Sequence, residues 1–357
     1  MKIAHTADLH LGYRQYGFPQ REQDFYNALG HVTQRAIDLK VDALILAGDC
    51  FDAPKPPAYA VRMLHHYVTQ LQSHNIVVLG IDGNHDAAEG NWLHVCGILP
   101  LGEYVHPDGV RIVGLNAARA TLFNKQVDAL VTAGNKLDVL VIHQALGEFA
   151  DFEAHDITAM DLAPKLSKLG VRYVAMGDIH DYKETVIGGV RFVYPGSTEM
   201  NALDEKQDKT FSVIDITPDN ISTAFEPITI RPIIEIYMDD EKKLDTLLTQ
   251  LEGEPLVVVW YEPEHKALAK RAEDILKNKN VMHLVRPLSK GSTGTMVEKL
   301  NKEGFERKGS LSQLKEAVKA YFEEDSEQYA LVFQLLDAPT NVQYTVEQYL
   351  KSKGIEQ

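Results

Sequence analysis

Residues 42–49 read DALILAGD and residues 76–86 read IVVLGIDGNHD, so two aliphatic strands each run directly into a turn that carries Asp or Asn. Short runs of aliphatic and β-branched residues bounded by Gly, Asp or Asn are typical of buried strands. The same signal predicts strands at 2–5, 42–47, 76–81, 110–115, 139–143, 171–176, 190–194, 211–216 and 222–225. Helical segments such as 21–39 and 58–73 lie between them. This alternation predicts an α/β fold with layered sheets flanked by helices.

A second, smaller α/β unit is predicted after the proline-containing segment 227–232. Its strands are predicted at 233–238, 256–261 and 281–285, and its helices at 241–251 and 264–277. The segment 289–295, SKGSTGT, is rich in Gly and Ser and lacks the pattern of a phosphate-binding loop, so we interpret it as a linker. Helices are predicted beyond it at 310–324, 326–336 and 345–353. We therefore predict three parts, which are residues 1–228, residues 229–288, and a linker with C-terminal helices over residues 289–357.

The composition of the 357 residues is that of an ordinary globular protein, with 45% hydrophobic and 24% charged residues. No apolar run approaches the roughly 20 residues that cross a bilayer, and the N-terminus has no apolar signal segment. Cys50 and Cys96 lack metal-type spacing and suggest no disulfide framework, so we expect a cytoplasmic protein that does not associate with membranes.

The net charge of −15 argues against bulk attraction to nucleic acid, but it is unevenly distributed. Residues 264–319 carry 13 Lys and Arg against 7 Asp and Glu. Such a run is usually a solvated face, and a surface that contacts a phosphate backbone is the more specific alternative.

Five clusters of potential metal ligands each follow a predicted strand. They are Asp8-Leu9-His10, Gly48-Asp49, Gly83-Asn84-His85-Asp86, His143, and Gly177-Asp178-Ile179-His180. In α/β chains of this design, functional loops gather at the carboxyl ends of the strands. A single cluster is weak evidence, because an isolated His or Asp-Gly turn is usually structural. Five in order predict a metal site, since burying so many carboxylates and imidazoles together without cations is costly.

The residue types suggest how such a site works. If the first cluster is extended, Asp8 and His10 point the same way and converge on one cation. Asp49 offers two oxygens that could bridge two cations, Asn84 offers a neutral oxygen, and His85 could contact the substrate. Carboxylate, imidazole and carboxamide without thiolate favour manganese, iron or zinc over calcium. Two ions ~3.5–4 Å apart can clamp a phosphodiester and activate a water.

The ordered motifs D-x-H, GD, GNHD, a lone His and a final G-x-x-H resemble those of the calcineurin-like metallophosphoesterases. The segments HTADLHLG, YGFPQREQDFYNAL, AGDCFDAPKPP and YPGSTEM narrow the resemblance to the SbcD family of DNA repair nucleases, whose archaeal and eukaryotic members are the meiotic-recombination-eleven nucleases. The resemblance is specific over residues 1–200, fair over 230–290 and weak beyond. It implies a metallophosphoesterase sandwich over 1–228 and a DNA-capping domain over 229–288.

By this resemblance, Asp8, His10, Asp49 and His180 would hold the first metal. Asp49, Asn84, His143 and Asp178 would hold the second, and His85 would protonate the leaving 3′-oxygen. The family prefers Mn2+, degrades DNA ends in the 3′ to 5′ direction and cuts single strands internally. Its members form homodimers and work with an SbcC-type ABC ATPase that has coiled coils. The implied ATPase-binding region is 310–336 or 345–353.

This chain departs from the family at Asp178, where the usual residue is His. We expect Asp178 to hold the second ion with altered affinity or metal preference, and the alternative is a weakened second site. Two other functions stay open. One is hydrolysis of a small phosphodiester or phosphoprotein. The other is a DNA-end-binding scaffold with minor or lost nuclease activity.

The surface that would form a homodimer is a separate hypothesis. We place it on the helices at 21–39 and 58–73. In the second helix, Val61, Leu64, Val68 and Leu71 form a stripe at helical spacing. The alternative is that this stripe packs on the chain's own sheet.

Overall fold

The computed structural model describes residues 1–85, 91–149, 157–218, 220–249, 251 and 253–288. Within them the chain divides into two compact units, the first ending at Pro232 and the second beginning at Ile233. That division lies four residues after the predicted domain boundary at 228. The predicted linker and C-terminal helices over 289–357 lie outside the described residues, and the capping role of the second unit stays a prediction.

Two six-stranded sheets build the first unit, with strand orders β12-β11-β1-β2-β3-β4 and β5-β6-β7-β8-β10-β9. The strands are β1 (Lys2–Thr6), β2 (Ala43–Ala47), β3 (Val77–Ile81), β4 (Leu99–Pro100), β5 (Glu103–Val105), β6 (Arg111–Leu115), β7 (Val139–His143), β8 (Tyr173–Gly177), β9 (Lys183–Ile187), β10 (Val190–Tyr194), β11 (Thr210–Ile216) and β12 (Ile221–Pro227). Strands β1, β2 and β3 are mutually parallel, and so are β6, β7, β8 and β10.

The helices of the first unit cover the outer faces of the two sheets. They are α1 (Pro19–Asp38), α2 (Ala58–Ser73), α3 (Trp92–Val95), α4 (Ala120–Ala133) and α5 (Ala159–Leu169). One apolar cluster joins α1 and α2 to the first sheet, and a second joins α4 and α5 to the other sheet. A third cluster, which includes Ile3, Ile45, Val141 and Val193, lies between the sheets. The predicted layered α/β sandwich is therefore confirmed.

The apolar stripe on α2 packs inside this chain. Leu64, Val68 and Leu71 are at most 2% exposed and belong to the core between α1, α2 and the first sheet, and Val61 packs against that core. The stripe is therefore not available as a dimer face, since helix amphipathicity alone does not distinguish an internal partner from an external one. A dimer face formed by other side chains of α1 and α2 stays a prediction.

The second unit has the predicted strand–helix order. It contains β13 (Ile233–Tyr237), α6 (Lys242–Thr249), β14 (Leu256–Tyr261), α7 (Lys266–Asn278) and β15 (Met282–Pro287). The three strands form a parallel sheet in chain order. Buried residues of both helices, among them Leu247 and Leu276, pack on its strands. Among the described residues of the whole chain, no helix is both long and apolar enough to cross a bilayer.

Candidate metal centre

All five clusters lie where parallel strands of the two sheets end. The first three clusters follow β1, β2 and β3 of one sheet, and the last two follow β7 and β8 of the other. The side chains of Asp8, His10, Asp49 and His143 are almost fully buried and form the floor of the site. Those of Asp178 and His180 are each 30% exposed. The site therefore has a closed floor and a rim that opens to solvent.

The backbone at the site does not have the extended form that we expected for residues 8–10. Asp8 has a φ of 53°, His10 42°, Asp49 50° and Asp178 96°. Such positive angles are uncommon for residues other than Gly, and they tend to occur at functional sites. Bonds between loops hold them, since Asp8 N donates to Gly48 O at 3.1 Å and His10 N donates to Asp49 O at 3.0 Å. Asp8 and His10 thus converge through left-handed backbone and not through alternation along a strand.

One group of potential metal ligands lies around His143. Its Nε2 lies 2.9 Å from Oδ1 of Asn84, 3.3 Å from Oδ2 of Asp49 and 3.8 Å from Oδ1 of Asp178. Its Nδ1 donates to the carbonyl oxygen of Ala47 at 2.8 Å. With Nδ1 bonded to a carbonyl, Nε2 is the nitrogen that would bind a cation among these oxygens once its proton is released, which is the arrangement of a histidine ligand backed by a carbonyl. These are the four residues predicted for the second ion.

A second group of donors forms around His10 and His180. Ligand atoms of Asp8, His10 and His180 all lie within 4.8 Å of one another. The Nε2 atoms of His10 and His180 face each other at 3.2 Å, and Nδ1 of His180 lies 2.9 Å from Oε1 of Glu205. Two nitrogen lone pairs at that distance repel unless a proton or a cation lies between them. The donor set therefore fits a divalent ion.

Asp49 lies between the two groups. Its Oδ2 is 3.3 Å from Nε2 of His143 and 4.0 Å from Nε2 of His10. Its Oδ1 accepts a hydrogen bond from the backbone N–H of His85 at 2.9 Å. One carboxylate is thus shared by both groups of donors.

The glycines of these motifs make room for the ligands. A Cβ atom at Gly83 would overlap Oδ1 of Asp49, and one at Gly48 would overlap the ring of His143. A Cβ at Gly177 would lie 2.6 Å from Nδ1 of the same ring. Gly is required at these positions because side chains that follow or end other strands approach the backbone closely. At Gly48 the turn is a second reason, since its φ is +93°.

The buried charges shift the protonation of the site in the metal-free protein. Burial lowers the pKa of His143, but the hydrogen bond to Asp49 and the carboxylates of Asp8, Asp49 and Asp178 outweigh it and raise the pKa to about 10. Burial raises the pKa of Asp49, but the hydrogen bond and charge of His143 outweigh it and lower that pKa. Burial and nearby carboxylates raise the pKa of Asp178. A proton thus occupies a place that a cation could take, and binding of a cation would release it.

His85 lies at the exposed side of this centre. Its Nδ1 donates to the carbonyl oxygen of Asp52 at 2.9 Å, and its ring stands edge-to-face to that of His10 with 4.9 Å between centroids. Nε2 is therefore the ring nitrogen left to contact a substrate. The chain following His85, residues 86–90, lies outside the described residues.

Two further carboxylates, Asp52 and Glu205, approach the proposed ligands and were not predicted. Oδ1 of Asp52 lies 3.6 Å from Nδ1 of His10, and Glu205 contacts His180. Asp52 lies three residues beyond Asp49, and Glu205 follows no strand. Neither carboxylate could therefore be predicted from its position directly after a strand.

Residues 1–219 match the family model of the calcineurin-like phosphoesterase superfamily domain. Several curated relatives, of which three are described, carry the name DNA double-strand break repair protein Mre11. The Archaeoglobus fulgidus protein is 31% identical over 77% of this chain and 71% of its own length, and that of Thermoplasma acidophilum is 28% identical over 70% and 71%. The Methanosarcina mazei protein is 30% identical over 73% of this chain, which spans only 45% of that longer relative.

Proposed function

This chain belongs to the calcineurin-like phosphoesterase superfamily and, within it, to the Mre11 family, and we propose that it hydrolyses phosphodiester bonds of DNA with two divalent metal ions. The observation that carries the proposal is the position of Asp49, whose Oδ2 lies 3.3 Å from Nε2 of His143 and 4.0 Å from Nε2 of His10. A carboxylate between two groups of donors is suited to bridge two cations.

The proposed ligands fall into two sets that share this carboxylate. Asp8, His10, Asp49 and His180 would hold the first ion. Asp49, Asn84, His143 and Asp178 would hold the second. We propose manganese for both ions, because the family that this chain resembles prefers it, and the oxygen and imidazole donors without thiolate suit manganese, iron or zinc. When bound, the two ions would polarise the phosphoryl oxygens and lower the pKa of the attacking water.

We propose that His85 supplies the proton for the leaving 3′-oxygen. Because Asp52 O accepts from Nδ1 at 2.9 Å, Nε2 is the atom that would carry the transferred proton. The bond from the backbone N–H of His85 to Asp49 at 2.9 Å ties this acid to the carboxylate shared by both ion sites. General acid catalysis by a positioned histidine contributes about 10²- to 10⁴-fold to a rate.

DNA is the proposed substrate because the relative that establishes the family, and a second at 28% identity, are named as DNA double-strand break repair proteins. The basic residues of α7 in the second unit give only limited further support for DNA as the substrate. In α7, Lys270 and Lys277 both pair with Glu273, and Arg271 pairs with Glu241. The charge of this helix is therefore partly neutralised within the unit, and family membership is the stronger support.

The remaining features of the proposal follow from the family resemblance. They are 3′ to 5′ degradation of DNA ends, internal cleavage of single strands, a homodimer, and a coiled-coil ABC ATPase partner that contacts 310–336 or 345–353. The cytoplasmic location also belongs to the proposal. The proposed dimer face on the helices at 21–39 and 58–73 would use side chains other than the buried α2 stripe.

Cleavage of end-labelled linear duplex DNA and single-stranded DNA tests the proposal, with Mn2+ or Mg2+ and with or without a cognate ATPase and ATP. A chromogenic phosphodiester assayed in parallel distinguishes a nuclease from an enzyme for small substrates. We expect Mn2+-dependent degradation of DNA that exceeds hydrolysis of the small diester. No cleavage of DNA under any of these conditions, with DNA ends still bound, would favour the scaffold.

A further inference from the structure

His180 has a carboxylate behind its ring. Nε2 of His180 faces Nε2 of His10 at 3.2 Å, while Nδ1 on the opposite side lies 2.9 Å from Oε1 of Glu205. The side chain of Glu205 is only 10% exposed. An imidazole can present a lone pair on one nitrogen only when the other carries the proton, and the carboxylate defines which nitrogen that is.

The other oxygen of Glu205 is fully engaged. Oε2 accepts from Nζ of Lys209 at 2.7 Å and from the backbone N–H of Asn201 at 3.1 Å, and Oγ of Ser197 lies 3.4 Å away. Since Oε2 has these donors, Oε1 is directed at His180. The orientation of this carboxylate is therefore determined by its surroundings and not by His180 alone.

Lys209 holds the backbone of the same histidine. Its Nζ donates to the carbonyl oxygen of His180 at 3.1 Å and to Oγ of Ser197 at 2.9 Å, and the residue is 3% exposed. Ser197 N also donates to His180 O at 3.0 Å. A buried lysine is found almost only where it is paired, and here its partners fix both the ring and the main chain of His180.

The Nδ1 atoms of the three proposed histidine ligands have different neighbours. Nδ1 of His143 donates to a neutral carbonyl oxygen, that of Ala47 at 2.8 Å. Nδ1 of His10 lies 3.6 Å from a carboxylate oxygen of Asp52, beyond hydrogen-bond distance. Among these three, His180 is the one whose Nδ1 makes a hydrogen bond to a carboxylate.

We propose that Glu205, held by Lys209, is a positioning residue that keeps the proton of His180 on Nδ1 and directs Nε2 at the first metal ion. This inference rests on the proposed function, since it assumes that His180 is a ligand. A carboxylate that accepts from a ligating histidine fixes its tautomer and raises its basicity, and loss of such a partner weakens metal binding by about 10- to 100-fold. Glu205 would not contact the substrate, and its effect on metal binding would be exerted only through His180.

Calorimetric titration of Mn2+ into the metal-free full-length protein tests this role. The variants are Glu205→Ala, Glu205→Gln and the matched control Glu199→Gln. Glu199 is a buried carboxylate of the same segment, and its side chain accepts from Arg21 at 3.1 Å and from the backbone N–H of Met200 at 2.8 Å. Thermal unfolding of each metal-free variant reports its fold.

We expect one of two Mn2+ sites to weaken by about 100-fold in Glu205→Ala and by about 10-fold in Glu205→Gln, whose amide oxygen still accepts from Nδ1. The other site and Glu199→Gln should keep wild-type affinity. Wild-type affinity at both sites in Glu205→Ala would overturn the inference. If that variant does not fold, wild-type affinity in Glu205→Gln would overturn it. Absence of Mn2+ binding by the wild type would instead contradict the proposed function itself.

Discussion

Oδ2 of Asp49 lies 3.3 Å from Nε2 of His143, although the two residues end strands in different sheets. Asp49 follows β2 of the first sheet, and His143 is the last residue of β7 in the second. The packing of the two sheets through their shared apolar cluster therefore sets the distance between the proposed ligands. DNA cleavage should therefore depend on the side chains that set the distance between the two strand ends as well as on the proposed ligands themselves.

Replacement of His85 should separate chemistry from metal binding. We expect His85→Ala to lower the rate of DNA cleavage by about 10²- to 10⁴-fold, because it removes the proposed general acid. Its Mn2+ affinity should stay that of the wild type, since the bond to Asp49 comes from the backbone N–H. The matched control is His94→Ala, an exposed histidine on α3. Undiminished cleavage by His85→Ala would remove this residue from the chemistry.

Asp178 offers a test of the departure from the family. Asp178→Asn keeps the size of the side chain and removes its charge, which lies 3.8 Å from Nε2 of His143. An opposite charge close to a carboxylate changes its proton affinity by about 10- to 1,000-fold. Loss of the charge of Asp178 should weaken its attraction to a cation by a comparable factor, so we expect at least about tenfold weaker Mn2+ binding at one site. Asp178→His should change the affinity at the same site. Unchanged affinities at both sites in both variants would show that the departure has no consequence.

Gly83→Ala tests the close approach between strand ends. The added methyl group would overlap Oδ1 of Asp49, so either that carboxylate or the turn must move. Overpacking of this kind costs about 1–3 kcal/mol of the free energy of unfolding, and we expect a loss of Mn2+ affinity with it. Gly102→Ala is the control, because a Cβ there would meet no atom within 4 Å. Equal Mn2+ affinity and melting temperature in the two variants would argue against the close approach.

His5 should make the stability of the first unit depend on pH. It is fully buried, with Nε2 3.2 Å from the carbonyl oxygen of Met176 and Nδ1 3.1 Å from the hydroxyl of Tyr173. Burial lowers its pKa from 6.5 to about 3. Between these values the unfolded chain binds a proton that the folded protein does not, so the free energy of unfolding decreases as the pH falls from 6.5 towards 3.

Urea unfolding of wild type and His5→Gln at pH 6.5 and 4.5 measures this contribution. One pKa unit corresponds to about 1.4 kcal/mol, so acidification should cost the wild type about 2–3 kcal/mol more than the variant. Parallel decreases in the two proteins would mean that His5 does not carry the effect.

The strand-end motifs allowed the fold class and the gathering of the proposed ligands to be predicted. Gly48-Asp49 and Gly177-Asp178 follow buried strands, and parallel strands deliver their carboxyl ends to one edge of a sheet. The short or exposed strands β4, β5 and β9 were not predicted, because their residues are largely exposed or carry little apolar periodicity. Their place in the sheets depends on tertiary pairing.

The details of the centre depend on contacts that no local pattern contains. The positive φ angles of Asp8 and His10 depend on hydrogen bonds to residues 48 and 49 of another loop. Glu205 reaches His180 from 25 residues away in a segment without strand or helix periodicity. Burial of the α2 stripe was one of two alternatives that its spacing left open.

The proposed centre requires two metal ions that share Asp49. Calorimetric titration of Mn2+ into metal-free wild type and Asp49→Asn tests this claim, because the substitution keeps the shape of the side chain and removes the shared negative charge. We predict two Mn2+ per wild-type chain and weakened binding at both sites in Asp49→Asn. A wild type that binds fewer than two ions, or a variant that loses only one site while the other keeps its affinity, would contradict the shared-carboxylate centre.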